Sequence, residues 1–353
     1  MKKKTDYRSF GMKTWGNNGV AFVSKTQSKV THEFTRPSDE VQTLNLNSLV
    51  KLGCITQSYN NIIKTNKIKI HGHRGARGLY PENTLAAFRY AIDNDVDVLE
   101  LDLNMTKDNE IIICHDPNIN TNICNGISKP IKTLTLKEIK EYDCGSKKNY
   151  NFITQKTVPG EKIPSFKELI DLIQSKKYKH KKVIMNVEIC TGLSGPEALP
   201  DDAATTATAV NTINIATDNE VYNFSKKLID MLKKYKIINN VIIQSFDIRA
   251  LKYVNDIDPS IKKKSYLVET QSLDVDNLIT TLKQIGVTII SPNYKLIDKN
   301  IVKTLQDNGF EVLPWTINDV NIFKRNIEYG VDGIITDYPK EMKDYYIENY
   351  RNK

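Results

Sequence analysis

The stretch Ile70-His71-Gly72-His73-Arg74-Gly75-Ala76-Arg77-Gly78-Leu79-Tyr80-Pro81-Glu82-Asn83-Thr84 is where this chain first shows a clear structural pattern. An apolar run ends in a turn dense in His, Arg and Gly, and a helical pattern starts at Asn83 or Thr84. Glycines let backbone come close to a ligand. Arginines grip a phosphate through paired N–H groups, and a helix N-terminus adds a field that favours an anion. Read alone, the stretch fits an ordinary strand–helix turn with a surface histidine about as well as it fits an anion site.

Downstream, short β-branched runs alternate with amphipathic stretches. Strands are expected at 68–71, 96–103, 183–189, 241–245, 265–268, 287–291, 311–315 and 333–336. Helices are expected at 84–94, 165–175, 221–234, 247–255, 275–285, 299–307 and 319–329. The strands are short and apolar, as suits a parallel sheet buried on both faces. Eight of them, in a span of about 270 residues from Lys67 to Asp337, predict a (β/α)8 TIM barrel over residues 67–345, near the ~250 residues usual for that fold. A doubly wound open sheet is the runner-up, but no G-x-G-x-x-G turn follows the first strand. Residues 116–162 read as a small insertion after the second strand that caps the barrel mouth. Residues 191–219, rich in Ala, Thr and Asn, read as a loop over the same mouth.

Residues 1–66 are polar and weakly periodic, an N-terminal extension. The whole chain of 353 residues is 40% hydrophobic and 26% charged, with a formal charge of +8. Its lysines are spread out rather than gathered into the basic stripe of a nucleic-acid protein. Met1 is followed by three lysines, but Asp6, Arg8, Lys13, Asn17 and Asn18 interrupt any signal-peptide core. No transmembrane segment is read, so a cytoplasmic protein is the default expectation, with export as the alternative. The five cysteines (Cys54, Cys114, Cys124, Cys144 and Cys190) include no C-x-x-C pair. They read as free thiols in a reducing compartment, a Cys124–Cys144 bridge staying open.

Three further features carry chemistry. In Leu99-Glu100-Leu101-Asp102 two acids lie two apart on a strand and so share a face. Unpaired carboxylates are costly to bury; a divalent cation removes the cost, and oxygen ligands suit Ca2+ or Mg2+. The bland alternative is a pair of salt-bridged acids. Next, the apolar run ending at Cys114 delivers His115 and Asp116. A hairpin turn at 107–109 would return His115 to the carboxylates, as a candidate acid/base, although a lone strand-end histidine is more often structural. Last, Glu188 in Met185-Asn186-Val187-Glu188 needs a partner, either a metal shared with Glu100 and Asp102 or a basic side chain.

As an ordered set, His-Arg-Gly, Pro-Glu-Asn-Thr, Glu-x-Asp, His-Asp and Asn-x-Glu resemble the glycerophosphodiester phosphodiesterase family. Asp143-Cys144-Gly145, Gly160-Glu161-Lys162-Ile163-Pro164-Ser165, Gln244-Ser245-Phe246-Asp247, Trp315-Thr316-Ile317-Asn318 and the run from Val331 to Pro339 extend the resemblance over nearly all of the barrel. The resemblance implies a (β/α)8 barrel with one divalent cation and two catalytic histidines. His73 and His115 are then the acid/base pair, and Glu100, Asp102 and Glu188 hold the metal. Arg74 contacts the phosphate, Glu82 lines the metal-side wall, and Trp315 packs beside the alcohol. His71 is at most a secondary site residue, while His32 and His180 read as surface. The implied substrate is a small phosphodiester, cleaved to glycerol 3-phosphate and an alcohol. One departure stands out: Cys190 occupies the place of a lysine that the family carries two residues after the third acid. The alternatives are a lysophospholipase D-type enzyme on the same fold, or a barrel that binds phosphodiesters without turnover.

Overall fold

Strand β2 (Val98–Met105) shows how the architecture arises from a period of two. Leu99, Leu101 and Leu103 point outward into the main core, shared with the helices. Glu100 and Asp102 point the other way, into a lumen. A computed structural model describes residues 68–192, 216–269 and 275–351. Parallel to β2 run β1 (Lys69–Gly72), β4 (Met185–Ile189), β5 (Val241–Ser245), β6 (Lys264–Val268), β7 (Ile289–Pro292), β8 (Glu311–Val312) and β9 (Gly333–Thr336). The strand order is β8-β7-β6-β5-β4-β2-β1-β9, with β3 (Ile111–Ile113) antiparallel on β2. Two backbone bonds, Asp332 N–H to Val312 O and Ile335 N–H to Pro314 O, both 3.0 Å, join the last strand to β8 and nearly close an eight-stranded parallel barrel.

The helices follow the expected pattern: α1 (Leu85–Asp93), α2 (Leu136–Ile139), α3 (Phe166–Gln174), α4 (Asp218–Lys234), α5 (Ile248–Ile257), α6 (Val275–Gln284), α7 (Lys299–Asp307), α8 (Val320–Tyr329) and α9 (Pro339–Tyr346). Side-chain caps fix several starts. Ser165 with Glu168, and Thr217 with Glu220, form reciprocal capping boxes. Helix α9, absent from the expectation, buries Pro339, Met342 and Tyr346. Strand β8 is shorter than expected because Pro314 brings no N–H to the ladder. The lumen is half polar, so the uniformly apolar reading of the strands holds only for their outer faces. Ile242, Ile289, Leu313 and Ile335 form a small separate apolar cluster.

The insertion has its own core of Ile112, Ile119, Cys124, Ile131, Leu134, Ile139, Cys144 and Ile163. It is stitched to the segment after β1. Gln155 Nε2 donates to Arg77 O at 2.7 Å, Thr154 Oγ1 to Gly78 O at 3.0 Å, and the Lys156 amide to Leu79 O at 2.9 Å. Cys124 and Cys144 are joined as a disulfide. The free-thiol reading is therefore corrected for these two, and it no longer argues for a reducing compartment. The pairing is local: Asn125 N–H bonds Asp143 O at 2.7 Å, which brings the two segments side by side. Cys114 and Cys190 are free. Cys54, the 1–66 extension with His32, and most of the 191–219 loop lie outside the described residues. No helix among the described residues is long and apolar enough to cross a membrane.

Replacing Cys124 and Cys144 together by alanine is expected to lower the unfolding free energy of the oxidised protein by about 3 kcal/mol. Denaturant melts with and without dithiothreitol check it: the reductant should move wild type toward the variant and leave the variant unchanged.

Candidate active site

The loop after β1 is built from unusual backbone. Arg74 and Asn83 both take the left-handed conformation, at φ 49° and 55°. That costs about 1 kcal/mol or more for each such residue and persists where surrounding contacts enforce it. Gly75, at φ 88°, has no room for a side chain, because an added Cβ would lie 2.8 Å from the Ala87 Cβ. The reward is visible at Arg74. Its amide donates to Glu100 Oε2 at 2.8 Å, its Nη1 to Glu82 Oε1 at 2.5 Å, and its Nε lies 3.2 Å from Asp102 Oδ2.

Glu100, Asp102 and Glu188 are all buried in the lumen. Asp102 stands opposite Glu188 in the β2–β4 ladder, and Glu100 lies one step down the same face. Gln244 Nε2 donates to Glu100 Oε1 at 2.8 Å and is itself held by Asn186. Asn83 Nδ2 donates to Asp102 Oδ2 at 2.8 Å. Among the described residues, the hydrogen-bond donor reaching Glu188 is the Cys190 thiol, at 3.6 Å. Burial first, then the Asp102 and Glu188 charges, raise Glu100 well above its ordinary value. Burial, reinforced by Asp102, pushes Glu188 up to about 7. Such a set is short of positive charge at its centre, which is the condition a divalent cation meets. The donor atoms of Asp102, Glu188 and Cys190 all lie within 4.8 Å of one another, whereas Glu100 is outside that tight group.

Each expected catalytic histidine is held by a carboxylate. His73 Nδ1 is 2.7 Å from Asp337 Oδ1, and Asn318 Nδ2 donates to the other Asp337 oxygen at 2.6 Å. His115 Nδ1 is 2.8 Å from Asp116 Oδ1, and Asn120 steadies Asp116. In both, Nδ1 is the ring nitrogen that faces the carboxylate. Burial lowers His73 below its ordinary value despite Asp337. Burial and Arg74 also act to lower His115, but Asp116 and Asp102 together outweigh them and raise it. The β2–β3 hairpin returns His115 to the acids as expected, with Cys114 N–H bonded to Asp102 O at 2.9 Å.

Glu82 sits between two guanidiniums, since Arg77 Nε is 2.9 Å from its second oxygen. Burial alone would push Glu82 up, but Arg77 and Arg74 hold it well below the carboxylate range. It fixes both arginines rather than presenting a free oxygen to the cavity. Trp315 donates from Nε1 to Ser291 O at 2.8 Å and meets Phe246 edge-on at 5.6 Å, on the side of the mouth formed by β5, β7 and β8. His71 is buried deeper, 3.5 Å from Asn186 Nδ2, and burial, with Lys69 and Lys263, lowers it to about 3. It therefore stays neutral in the barrel wall. His180 is exposed. Asp337, Asn83, Arg77, Gln244 and Asn186 are positioning residues that the sequence reading left unassigned. Each lies inside a motif already singled out; except for Arg77, paired with the nearby Glu82, each meets a partner at least 19 residues away.

A parallel barrel whose strand ends gather carboxylates, arginines and two carboxylate-held histidines defines a hydrolase-type site at the C-terminal mouth. The model of the glycerophosphoryl diester phosphodiesterase family matches residues 73–341, and the chain belongs to that family. A glycerophosphodiester phosphodiesterase of Caldanaerobacter subterraneus is 29% identical over 277 residues, covering 78% of this chain and 96% of its own. A solved Silicibacter pomeroyi structure superposes with a TM-score of 0.66 at 23% identity, over 80% of this chain and 93% of its own. An Oleispira antarctica phosphodiesterase, solved in complex with the product sn-glycerol-3-phosphate, gives 0.60 at 21% identity over 78% and 95%.

The raised Glu188 gives a stability prediction for the metal-free chain. Its folded value lies above its unfolded one, so the stability tied to it is complete below about pH 4 and is lost as pH rises toward 7. Metal-free wild type is expected to melt lower at pH 8 than at pH 5. Glu188→Gln should recover the part of that loss tied to Glu188, on the order of 3 kcal/mol, in chelator-treated melts across the pH range.

Proposed function

We propose that this chain hydrolyses glycerophosphodiesters to glycerol 3-phosphate and an alcohol, with one divalent cation, Ca2+ or Mg2+, and with His73 and His115 as the acid/base pair. The observation that carries the reading is the meeting of three buried carboxylates with two carboxylate-held histidines at one barrel mouth. The product carried by the Oleispira protein fits such a mouth in kind. Glu100, Asp102 and Glu188 are the residues that would hold the cation, which supplies charge neutralisation at a phosphate oxygen. Arg74 binds a second phosphate oxygen, kept in place by Glu82 and Asp102. Asp337 and Asp116 orient the rings so that Nε2 of each histidine moves the proton.

The offset between the two histidines supports a division of labour. His73, favoured neutral, takes the proton from the attacking oxygen. His115, raised by Asp116 and Asp102, returns one to the leaving alkoxide. Trp315 and Phe246 offer an aromatic wall for the alcohol portion. A second reading, a lysophospholipase D-type activity, is favoured by apolar side chains left exposed on the insertion. Ile127, Tyr150 and Ile153 are 72%, 89% and 86% exposed.

Release of glycerol 3-phosphate from glycerophosphocholine, with Ca2+, Mg2+ or EDTA, tests the first reading, and lysophosphatidylcholine in parallel tests the second. His73→Ala and His115→Ala are each expected to lower kcat by about 10²–10⁴-fold in folded protein. Turnover that survives both substitutions, or that ignores EDTA, would refute the assigned roles. Trp315→Ala is expected to raise KM for glycerophosphocholine several-fold with a smaller change in kcat; an unchanged KM would remove it from the alcohol pocket.

A further inference from the structure

We infer that Cys190 adds a thiolate ligand to this carboxylate site, so that besides the Ca2+ or Mg2+ proposed above it takes thiophilic divalent ions such as Zn2+ and Cd2+, held by Asp102, Glu188 and Cys190. The inference rests on the metal-site reading above and concerns which atoms complete it. Glu100, the sequence-expected third ligand, has both oxygens engaged: Oε2 by the Arg74 amide and Oε1 by Gln244. Cys190 stands beside the other two acids, on the far side of the Asp102–Glu188 pair from Glu100. Its Sγ lies 3.6 Å from Glu188 Oε1, and Sγ and the Asp102 and Glu188 oxygens are mutually within 4.8 Å. Ligands at ~2.0–2.3 Å from a tetrahedral Zn2+ stand roughly 3.3–3.8 Å from one another, so small rotamer adjustments suffice.

The backbone holds this arrangement in place. Cys190 directly follows β4, and its amide bonds Leu103 O at 3.2 Å, continuing the ladder that sets Asp102 opposite Glu188. Asp102 and Glu188 face each other, and Cys190 lies two residues beyond Glu188 on the same face. On binding, the S–H bond breaks, the proton leaves to solvent, and the sulfur pair forms the metal–sulfur bond. Two oxygens and one sulfur from the protein leave an open position, as catalytic sites of this kind require. Thiolate shifts selectivity toward softer ions. A lysine at position 190, as the family pattern carries, could give no such bond.

Cd2+ titration of the full chain, followed by near-ultraviolet absorbance, reads the sulfur-to-metal charge-transfer band directly and does not depend on turnover. Wild type should develop the band at one equivalent, and Cys114→Ser should keep it. Cys190→Ser should lose the band and bind Cd2+ at least tenfold more weakly by calorimetry, with Ca2+ affinity changed far less. In wild type, Cd2+ should also slow modification of Cys190 by a disulfide reagent, located by peptide mass, which needs no folded variant. Cd2+ binding without the band, or a band that persists in Cys190→Ser, overturns the thiolate ligand and leaves the carboxylate site standing. No binding of Cd2+, Mg2+ or Ca2+ by calorimetry overturns the metal-site reading as well.

Discussion

Mutual repulsion among Glu100, Asp102 and Glu188 is the constraint on which the rest of this structure depends. Each is buried, and an uncompensated buried carboxylate costs several kcal/mol. The strand period makes the crowding unavoidable. Acids two apart on β2 share a face, and parallel pairing sets Glu188 beside Asp102. The fold responds with hydrogen bonds from the Arg74 backbone amide, the Asn83 side-chain amide and Gln244 steadied by Asn186, and with the Arg74 guanidinium charge beside Asp102. The left-handed backbone at Arg74 and Asn83 is what aims those donors, so the odd composition of residues 72–84 follows from the acids on the next strand. Donors alone do not balance the cluster, since Glu100 and Glu188 both remain raised.

The arginines answer a different need. Glu82 is paired by Arg74 and Arg77 together, leaving net positive charge on that side of the mouth. Arg77 is also stacked over Phe152 of the insertion, whose neighbours Thr154, Gln155 and Lys156 bond the same loop. The insertion thus braces the loop that carries Arg74 and Arg77. Carboxylates on one side and guanidiniums on the other give the mouth a polarity that would suit the proposed cation and phosphodiester substrate.

Much of this was legible in the sequence because it is local. The leucine–acid alternation of β2, the His115–Asp116 neighbours and the hairpin at 107–109 need only short-range periodicity. The barrel followed from eight strand-like runs separated by helical ones. What was hidden depends on long-range closure. Asp337 meets His73 across 264 residues of sequence, and Gln244 meets Glu100 across 144. The early end of β8 is set by Pro314 and by the tight seam to β9. The disulfide depended on the insertion folding back on itself, which even spacing of cysteines cannot reveal. Helix α9 was missed because its buried positions are separated by charged residues.

The two histidines are placed by different parts of the barrel, and this shapes how the site is assembled. His73 leaves β1 and is clamped by Asp337 just past β9, so its orientation depends on the first and last strands pairing. That pairing spans 264 residues of sequence and is formed at a cost in loop entropy. His115 leaves the β2–β3 hairpin and is clamped by its own neighbour. A partly folded chain can therefore hold His115 beside Asp102 while His73 has no partner. The proposed acid/base pair is therefore oriented only once the first and last strands pair, which ties that role to the β1–β9 seam rather than to any single loop.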